Sequence, residues 1–118
     1  MANTITVTKT TADQWKNPQG WFETVWTVSG SFADQDSVAA TAIGEFDITV
    51  PGVAVGDMIV GMTIGGILDD ATDQALSSAY VAAANTVTVQ VMADDGTSIA
   101  ADTLNGYTFK MLIGRPAW

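Results

Sequence analysis

Carboxylates are the main source of possible chemistry in this sequence. Its 118 residues contain no His and no Cys, and 13 Asp and Glu residues stand against four Lys and Arg residues. Without imidazole or thiolate groups, most nucleophilic, acid–base and transition-metal chemistry lacks its usual residues. Three close carboxylate pairs are left, namely Asp34 with Asp36, Asp69 with Asp70, and Asp94 with Asp95.

These pairs are poor candidates for catalysis. Each lies in a stretch that is predicted to turn, where Asp is favoured because its side chain hydrogen-bonds the local backbone. A glycosidase needs two carboxyl groups held across a cleft in unlike environments, and nothing in the sequence indicates such an arrangement. We therefore expect no enzymatic activity and no cofactor.

Residues 69–73 have a second possible role, as a calcium site. Asp69, Asp70 and Asp73 place three carboxylates within five residues, and Ca²⁺ prefers several oxygen ligands at short range. The segment lacks the Gly and the distal Glu of an EF-hand loop. A calcium site and a solvated acidic loop both stay open as interpretations.

The composition predicts one domain over residues 1–118 that binds neither nucleic acid nor membrane. A formal charge of −9 offers no basic face to a polyanion. The hydrophobic fraction of 47% is high enough for a core, but no apolar run approaches the roughly 20 residues of a membrane span. Within the domain, residues 1–37 are predicted to form N-terminal strands or an arm, and residues 38–118 the core of a sandwich.

Alternation of polar and apolar residues predicts an all-β fold. Turn signals recur about every 8–12 residues, a spacing that is typical of a small β-sandwich or jelly roll with seven or eight short antiparallel strands. The stretches 10–20, 29–37 and 99–106 are predicted to be loops or turns. The predicted strands are residues 4–8, 21–28, 38–50 as one strand or a bent pair, 57–64, 77–81, 86–91 and 107–113.

Aromatic residues are concentrated between positions 15 and 26. Packing in the core is one interpretation for Phe22 and Trp26, whereas Trp15 or Trp21 could contact another chain, since Trp is enriched at buried interfaces. A sugar-binding platform is a further alternative. Trp118, which follows Pro116, is expected either to fill a gap in the core or to contact a neighbouring subunit.

Three segments of the second half resemble a known family of proteins. They are VAVGDMIV at residues 53–60, AYVAAANTVTVQ at residues 79–90, and YTFKMLIGRP at residues 107–116. This pattern is similar to β-sandwich modules of small virion proteins of tailed phages, which include capsid decoration (cement) proteins and modules of head or tail fibres. The resemblance covers residues 45–116 and leaves the N-terminal third outside it.

The resemblance implies a non-enzymatic virion structural protein that decorates and stabilises the capsid. Its partner would be the major capsid protein, its assembly a homotrimer, and its location the capsid surface after synthesis in the host cytoplasm. A fibre or receptor-binding module that contacts a host-surface glycan or protein is the alternative. The expected contacts to the capsid or to other subunits are Trp15, Trp21, Phe22, Lys9, Lys16 and Trp118.

Overall fold

The fold is built entirely from strands. A computed structural model describes residues 3–13, 20–64, 75–93 and 98–118, and no residue in these ranges is helical. This confirms the all-β prediction. The seven strands are β1 (Thr4–Asp13), β2 (Phe22–Asp34), β3 (Ile43–Thr49), β4 (Met58–Ile64), β5 (Ala75–Ala83), β6 (Thr86–Ala93) and β7 (Thr108–Pro116).

The strands form two antiparallel sheets. One sheet has four strands in the order β1-β2-β7-β4, and the other has three in the order β3-β6-β5. The pairs β2·β7 and β3·β6 are nested in the sequence and lie in different sheets. This nesting is the pairing scheme of a jelly roll, in which a long hairpin rolls up across two sheets. The predicted small sandwich is therefore present.

The alternation of residue types decides which side chains fill the space between the sheets. In β3, Phe46 and Ile48 are buried, while the alternate residues Glu45 and Asp47 are exposed. Edge-to-face contacts join the ring of Phe32 to those of Phe46 and Phe109. The buried core is Trp26, Val28, Phe32, Val38, Phe46, Ile48, Val50, Val53, Val81, Val87, Val89, Val91, Ala93, Ile99, Leu104, Phe109, Met111 and Ile113.

Two strands extend into segments that the sequence predicts to be loops or turns. β1 continues through residues 10–13 and β2 through residues 29–34, so the predicted loops at 10–20 and 29–37 are wrong over those positions. The physical reason lies in pairing, because β2 has a partner strand on each side. Ser29, for example, pairs with Lys9 of β1 and with Lys110 of β7. These ladders satisfy the backbone groups of a segment that is locally rich in turn-forming residues.

The N-terminal third is an integral part of the sandwich. Residues 1–37 supply β1 and β2, and β2 contributes Trp26, Val28 and Phe32 to the core. Gln35, just after β2, is fully buried and organises the loop before β7. Its amide nitrogen donates to the carbonyl oxygen of Ala100 at 3.1 Å, and its amide oxygen accepts from the backbone N–H of Leu104 at 3.0 Å.

Candidate functional site

Four side chains form a row across the outer face of the four-stranded sheet. Lys9 pairs with Ser29, Ser29 with Lys110, and Lys110 with Thr63. Residues paired laterally across a sheet project to the same face. The neighbours of Ser29 in β2, Val28 and Gly30, are buried, so this row points away from the core. We call Lys9, Ser29, Lys110 and Thr63 the lysine row.

The lysine row lines an open depression with a volume of about 590 Å³. Its other lining residues include Thr27, Leu112 and Gly61, and none of its lining residues is acidic. Among the described residues, no carboxylate forms an ion pair with Lys9 or Lys110. The depression therefore concentrates two of the four basic residues of a chain whose net charge is −9.

An aromatic group covers one end of the same face. Gly114 follows the inward-facing Ile113 in β7 and therefore faces outward, where the ring of Phe22 lies over it. A Cβ atom at Gly114 would stand 2.5 Å from Cδ1 of Phe22, closer than real Cβ contacts come. Glycine at this position is what lets the ring come so close to the sheet.

Phe22 contacts one exposed tryptophan, and a second exposed tryptophan precedes it in the sequence. The ring centroids of Phe22 and Trp118 are 6.2 Å apart, with the planes tilted by 45°. The backbone N–H of Ala117 donates to the carbonyl oxygen of Trp21 at 2.9 Å, which holds the last residues against the start of β2. Trp21 is 55% exposed and Trp118 is 79% exposed. We call Trp21, Phe22 and Trp118 the aromatic end.

The lysine row and the aromatic end belong to one continuous surface. Along β7 the outward positions are Lys110, Leu112 and Gly114, in that order, and Phe22 covers the last of them. Leu112 is half-buried and pairs with Thr27 between the two groups. Basic, hydroxyl and apolar groups thus follow one another on a single face.

Most of the predicted contact residues that the structure describes lie on or beside one face of the sandwich. Lys9, Phe22 and Trp118 share the outer face, and Trp21 adjoins it. Trp15 and Lys16 lie outside the described residues. A role for Trp118 in filling the core does not fit its exposure, and Phe22 is half-buried outside the core, so the core interpretation was wrong for it.

Core packing is confirmed for the other aromatic residue of that segment. Trp26 is 2% exposed and lies on the inner face of β2. Lys110 is the contact candidate that sequence reasoning missed. Alternation along β7 shows that Lys110 faces outward, since its neighbours Phe109 and Met111 face inward. Only the strand order shows that Lys9 lies beside it, with Ser29 between them.

Arg115 is half-buried and paired with Asp57, so it adds no free charge to the outer face. Its Nε lies 2.9 Å from Oδ1 of Asp57, and its Nη2 lies 3.0 Å from Oδ2. The guanidinium carbon is 5.1 Å from the centre of the Trp26 ring, a cation–π distance. The hydrogen bond with Asp57 raises the pKa of Arg115 above its ordinary value, an effect that burial partly opposes.

The same arginine closes a turn at the end of the sandwich. Its Nη2 donates to the carbonyl oxygen of Gly52 at 3.0 Å, and Nε1 of Trp26 donates to that of Pro51 at 3.1 Å. Gly52 has a φ of 96°, which suits the third position of a turn with Pro before it. These hydrogen bonds fix the turn at Pro51 and Gly52 to the core residue Trp26 and to the end of β7.

The outer face of the three-stranded sheet has the opposite charge. Glu45 and Asp47 project from β3, and Oε2 of Glu45 accepts from Nε2 of Gln90 at 3.2 Å. Oδ1 of Asp47 accepts from the hydroxyl of Thr88 at 2.6 Å. The described residues thus place an acidic outer face, marked by Glu45 and Asp47, on the side of the sandwich opposite to the lysine row.

The exposed basic, hydroxyl and aromatic groups of this face are suited to contact with another molecule. Within the described ranges, no group of three or more His, Cys, Asp or Glu residues is placed to hold a metal ion. The segment with Asp69, Asp70 and Asp73 lies outside those ranges, so its calcium interpretation stays a prediction. No helix in the described part of the chain is long and apolar enough to span a membrane. No family model, curated protein or solved structure matches the chain.

Proposed function

We propose that this chain is a non-enzymatic structural protein of a tailed-phage virion, which decorates and stabilises the capsid. The observation that carries the proposal is the continuity of the lysine row with the aromatic end on one outer face. Protein interfaces are enriched in aromatic side chains, and a few such residues in apolar pockets supply most of the binding energy. Trp21 and Trp118 are both more than half exposed in this structure.

The acidic outer face supports an arrangement in which the lysine row faces the capsid and the acidic face is turned to water. Its carboxylates already have hydrogen-bond partners within the sheet, as in Glu45 with Gln90 and Asp47 with Thr88. A hydrophilic surface of one charge sign favours solubility when it is turned to water. A decorating protein needs one face that docks and one that stays hydrated. The face with the lysine row and the aromatic end suits the first role, and the acidic face suits the second.

The resemblance of residues 45–116 to decoration and fibre modules gives the proposal its biological setting. It implies the major capsid protein as partner, a homotrimer as the assembled form, and the capsid surface as the location. A trimer gains from avidity, because each contact that forms raises the effective concentration of the next. Weak individual contacts on a repeating lattice then suffice for stable occupancy.

A fibre or receptor-binding module is the second candidate. The observation in its favour is the exposure of the Trp21 and Trp118 rings at the end of the sheet, because a flat aromatic face can also stack on an apolar face of a sugar ring. Such a protein would recognise a host-surface glycan or protein, and it would bind cells where a decoration protein binds capsids.

The test is sedimentation of undecorated capsids with added protein, followed by gel analysis of the pellet. We expect Trp118→Ala to weaken capsid binding by about thirtyfold, the effect of losing one interface anchor. The matched control is Tyr80→Ala, which removes an aromatic ring that is 45% exposed on the acidic face, and it should bind like the wild type. Protein that stays in the supernatant with intact capsids but pellets with host cells would favour the receptor-binding function instead.

A further inference from the structure

We infer that the lysine row receives carboxylate side chains from an acidic protein segment of the docking partner. This inference adds a chemical identity to the proposed docking face and rests on it. The observation behind it is that Lys9 and Lys110 both line one depression, and that no carboxylate lines it. In a chain with 13 acidic residues, such a depression is a distinct local environment.

The spacing of the row suits two carboxylates on one segment. Lys9 and Lys110 flank Ser29 on neighbouring strands, so their Cα atoms are roughly 10 Å apart. Alternate residues of an extended segment project to one side and are roughly 7 Å apart. Because lysine stems are long and flexible, both ammonium groups can reach a pair of carboxylates at that separation.

The hydroxyl groups of the row extend the same chemistry. Ser29 and Thr63 can donate hydrogen bonds, and a carboxylate can accept several at once. Docking of this face would remove Lys9 and Lys110 from water. A buried charge without an opposite partner is strongly unfavourable, so a partner that covers the row has to supply negative charge.

The surroundings of the row indicate a protein and not a nucleic acid. Leu112 and the aromatic end continue the face, and this mixture of apolar and polar groups is usual at protein interfaces. A nucleic acid would instead require several phosphate contacts, whereas the row offers only two lysines. The net charge of −9 repels an acidic peptide as well as a nucleic acid. At physiological salt, repulsion beyond about 8 Å is screened, so the groups in direct contact decide the specificity.

The inference can be tested without capsids, on the full chain at 0.15 M salt. The probe is a hexaglutamate peptide titrated into wild-type protein and into Lys9→Glu/Lys110→Glu. We expect the double variant to bind the peptide about tenfold more weakly, since two exposed ion pairs are lost. Lys9→Arg/Lys110→Arg should bind like the wild type. Glu45→Gln/Asp47→Asn on the acidic face serves as the matched control, and equal melting temperatures establish that all variants fold.

Two further probes distinguish the source of the negative charge. Tighter binding of a six-nucleotide oligothymidylate or of an oligogalacturonate than of hexaglutamate would overturn the inference in favour of a nucleic acid or an acidic glycan. The absence of hexaglutamate binding, or equal binding by the charge-reversed variant, would also overturn it. Capsid sedimentation of the same variants separates the two proposals. If the wild-type protein binds the peptide but no capsid, only the proposed capsid function is contradicted. If the wild type and Lys9→Glu/Lys110→Glu bind capsids equally well, only the inference about the lysine row is contradicted.

Discussion

Arg115 and Asp57 form a two-point ion pair, with Nε 2.9 Å from Oδ1 and Nη2 3.0 Å from Oδ2. The Asp57 side chain is only 4% exposed, and its Oδ2 also accepts from the backbone N–H of Ala54 at 2.8 Å. The pair joins the end of β7 to the segment that leads into β4. The pair thus links the edge strand β4 to the central strand β7 just past the end of their backbone pairing.

Loss of this pair should destabilise the fold. Replacing Arg115 by Leu leaves the carboxylate of Asp57 buried without its cation, and we expect the free energy of unfolding to fall by roughly 1.5–3 kcal/mol. Arg115→Lys keeps the charge but loses the two-point geometry, so its loss should be smaller. Urea denaturation measures both changes. Equal stability of Arg115→Leu and the wild type would show that the pair contributes nothing.

The contribution of Arg115 should persist at alkaline pH. The hydrogen bond with Asp57 raises its pKa above an ordinary value that is already high. A group whose pKa is raised on folding stabilises the protein below its unfolded pKa, and this stabilisation is lost only as pH rises through the folded value. The stability difference between wild type and Arg115→Leu should therefore be the same at pH 7 and pH 10 in urea denaturation. A difference that shrinks by pH 10 would contradict this assignment.

Gln35 should be among the least replaceable polar residues. Gln35→Met keeps the size but leaves the backbone N–H of Leu104 buried without an acceptor, and we expect a loss of at least about 2 kcal/mol. Gln90→Met is the matched control, since the hydrogen bonds of Gln90 are exposed to water. Its stability should change by about 0.5 kcal/mol or less. Thermal melting of the two variants side by side gives the answer, and similar melting temperatures would count against the role of Gln35.

Gly114→Ala should disturb the aromatic end while it leaves the fold intact. The new methyl group overlaps the ring of Phe22, which is half-buried and can turn outward, so we expect a stability loss of about 1 kcal/mol. Contact between Phe22 and Trp118 should be lost with it, and capsid occupancy should fall. Gly61→Ala is the control for stability and for the ring signals, because no atom outside its chain neighbours lies within 4 Å of a Cβ at that position. NMR shifts of the Phe22 ring protons report the movement directly, and unchanged shifts would refute the predicted overlap.

The proposed homotrimer should use a sheet edge for its subunit contacts. Opposite faces of a sandwich can only stack in an open array, whereas a closed ring needs two surfaces that meet at an angle. On edge strand β4, Met58 is 42% exposed and Val60 is 46% exposed. Light scattering after size exclusion should give about three times the chain mass of 12.3 kDa, and Val60→Lys should shift this to the monomer. A wild-type monomer in solution would restrict any trimer to the capsid surface.

Local alternation was sufficient to predict the faces of individual strands. The pattern at Phe46 and Ile48 predicts which residues enter the core, and the pattern around Lys110 predicts that it faces outward. It cannot tell which strands are neighbours, and the lysine row exists only because β2 lies between β1 and β7. The role of Gln35 was hidden for the same reason, since its partners Ala100 and Leu104 are 65 and 69 residues away in sequence.

Lys9 and Lys110 on one outer face and Glu45 and Asp47 on the other contribute a dipole directed across the sandwich. Near a negatively charged surface, the net charge repels the molecule as a whole, while the dipole turns the side with Lys9 and Lys110 toward that surface. An approach with Glu45 and Asp47 in front meets repulsion at short range. The charge distribution therefore selects among the orientations of approach. Collisions that lead to contact begin with Lys9 and Lys110 toward the surface.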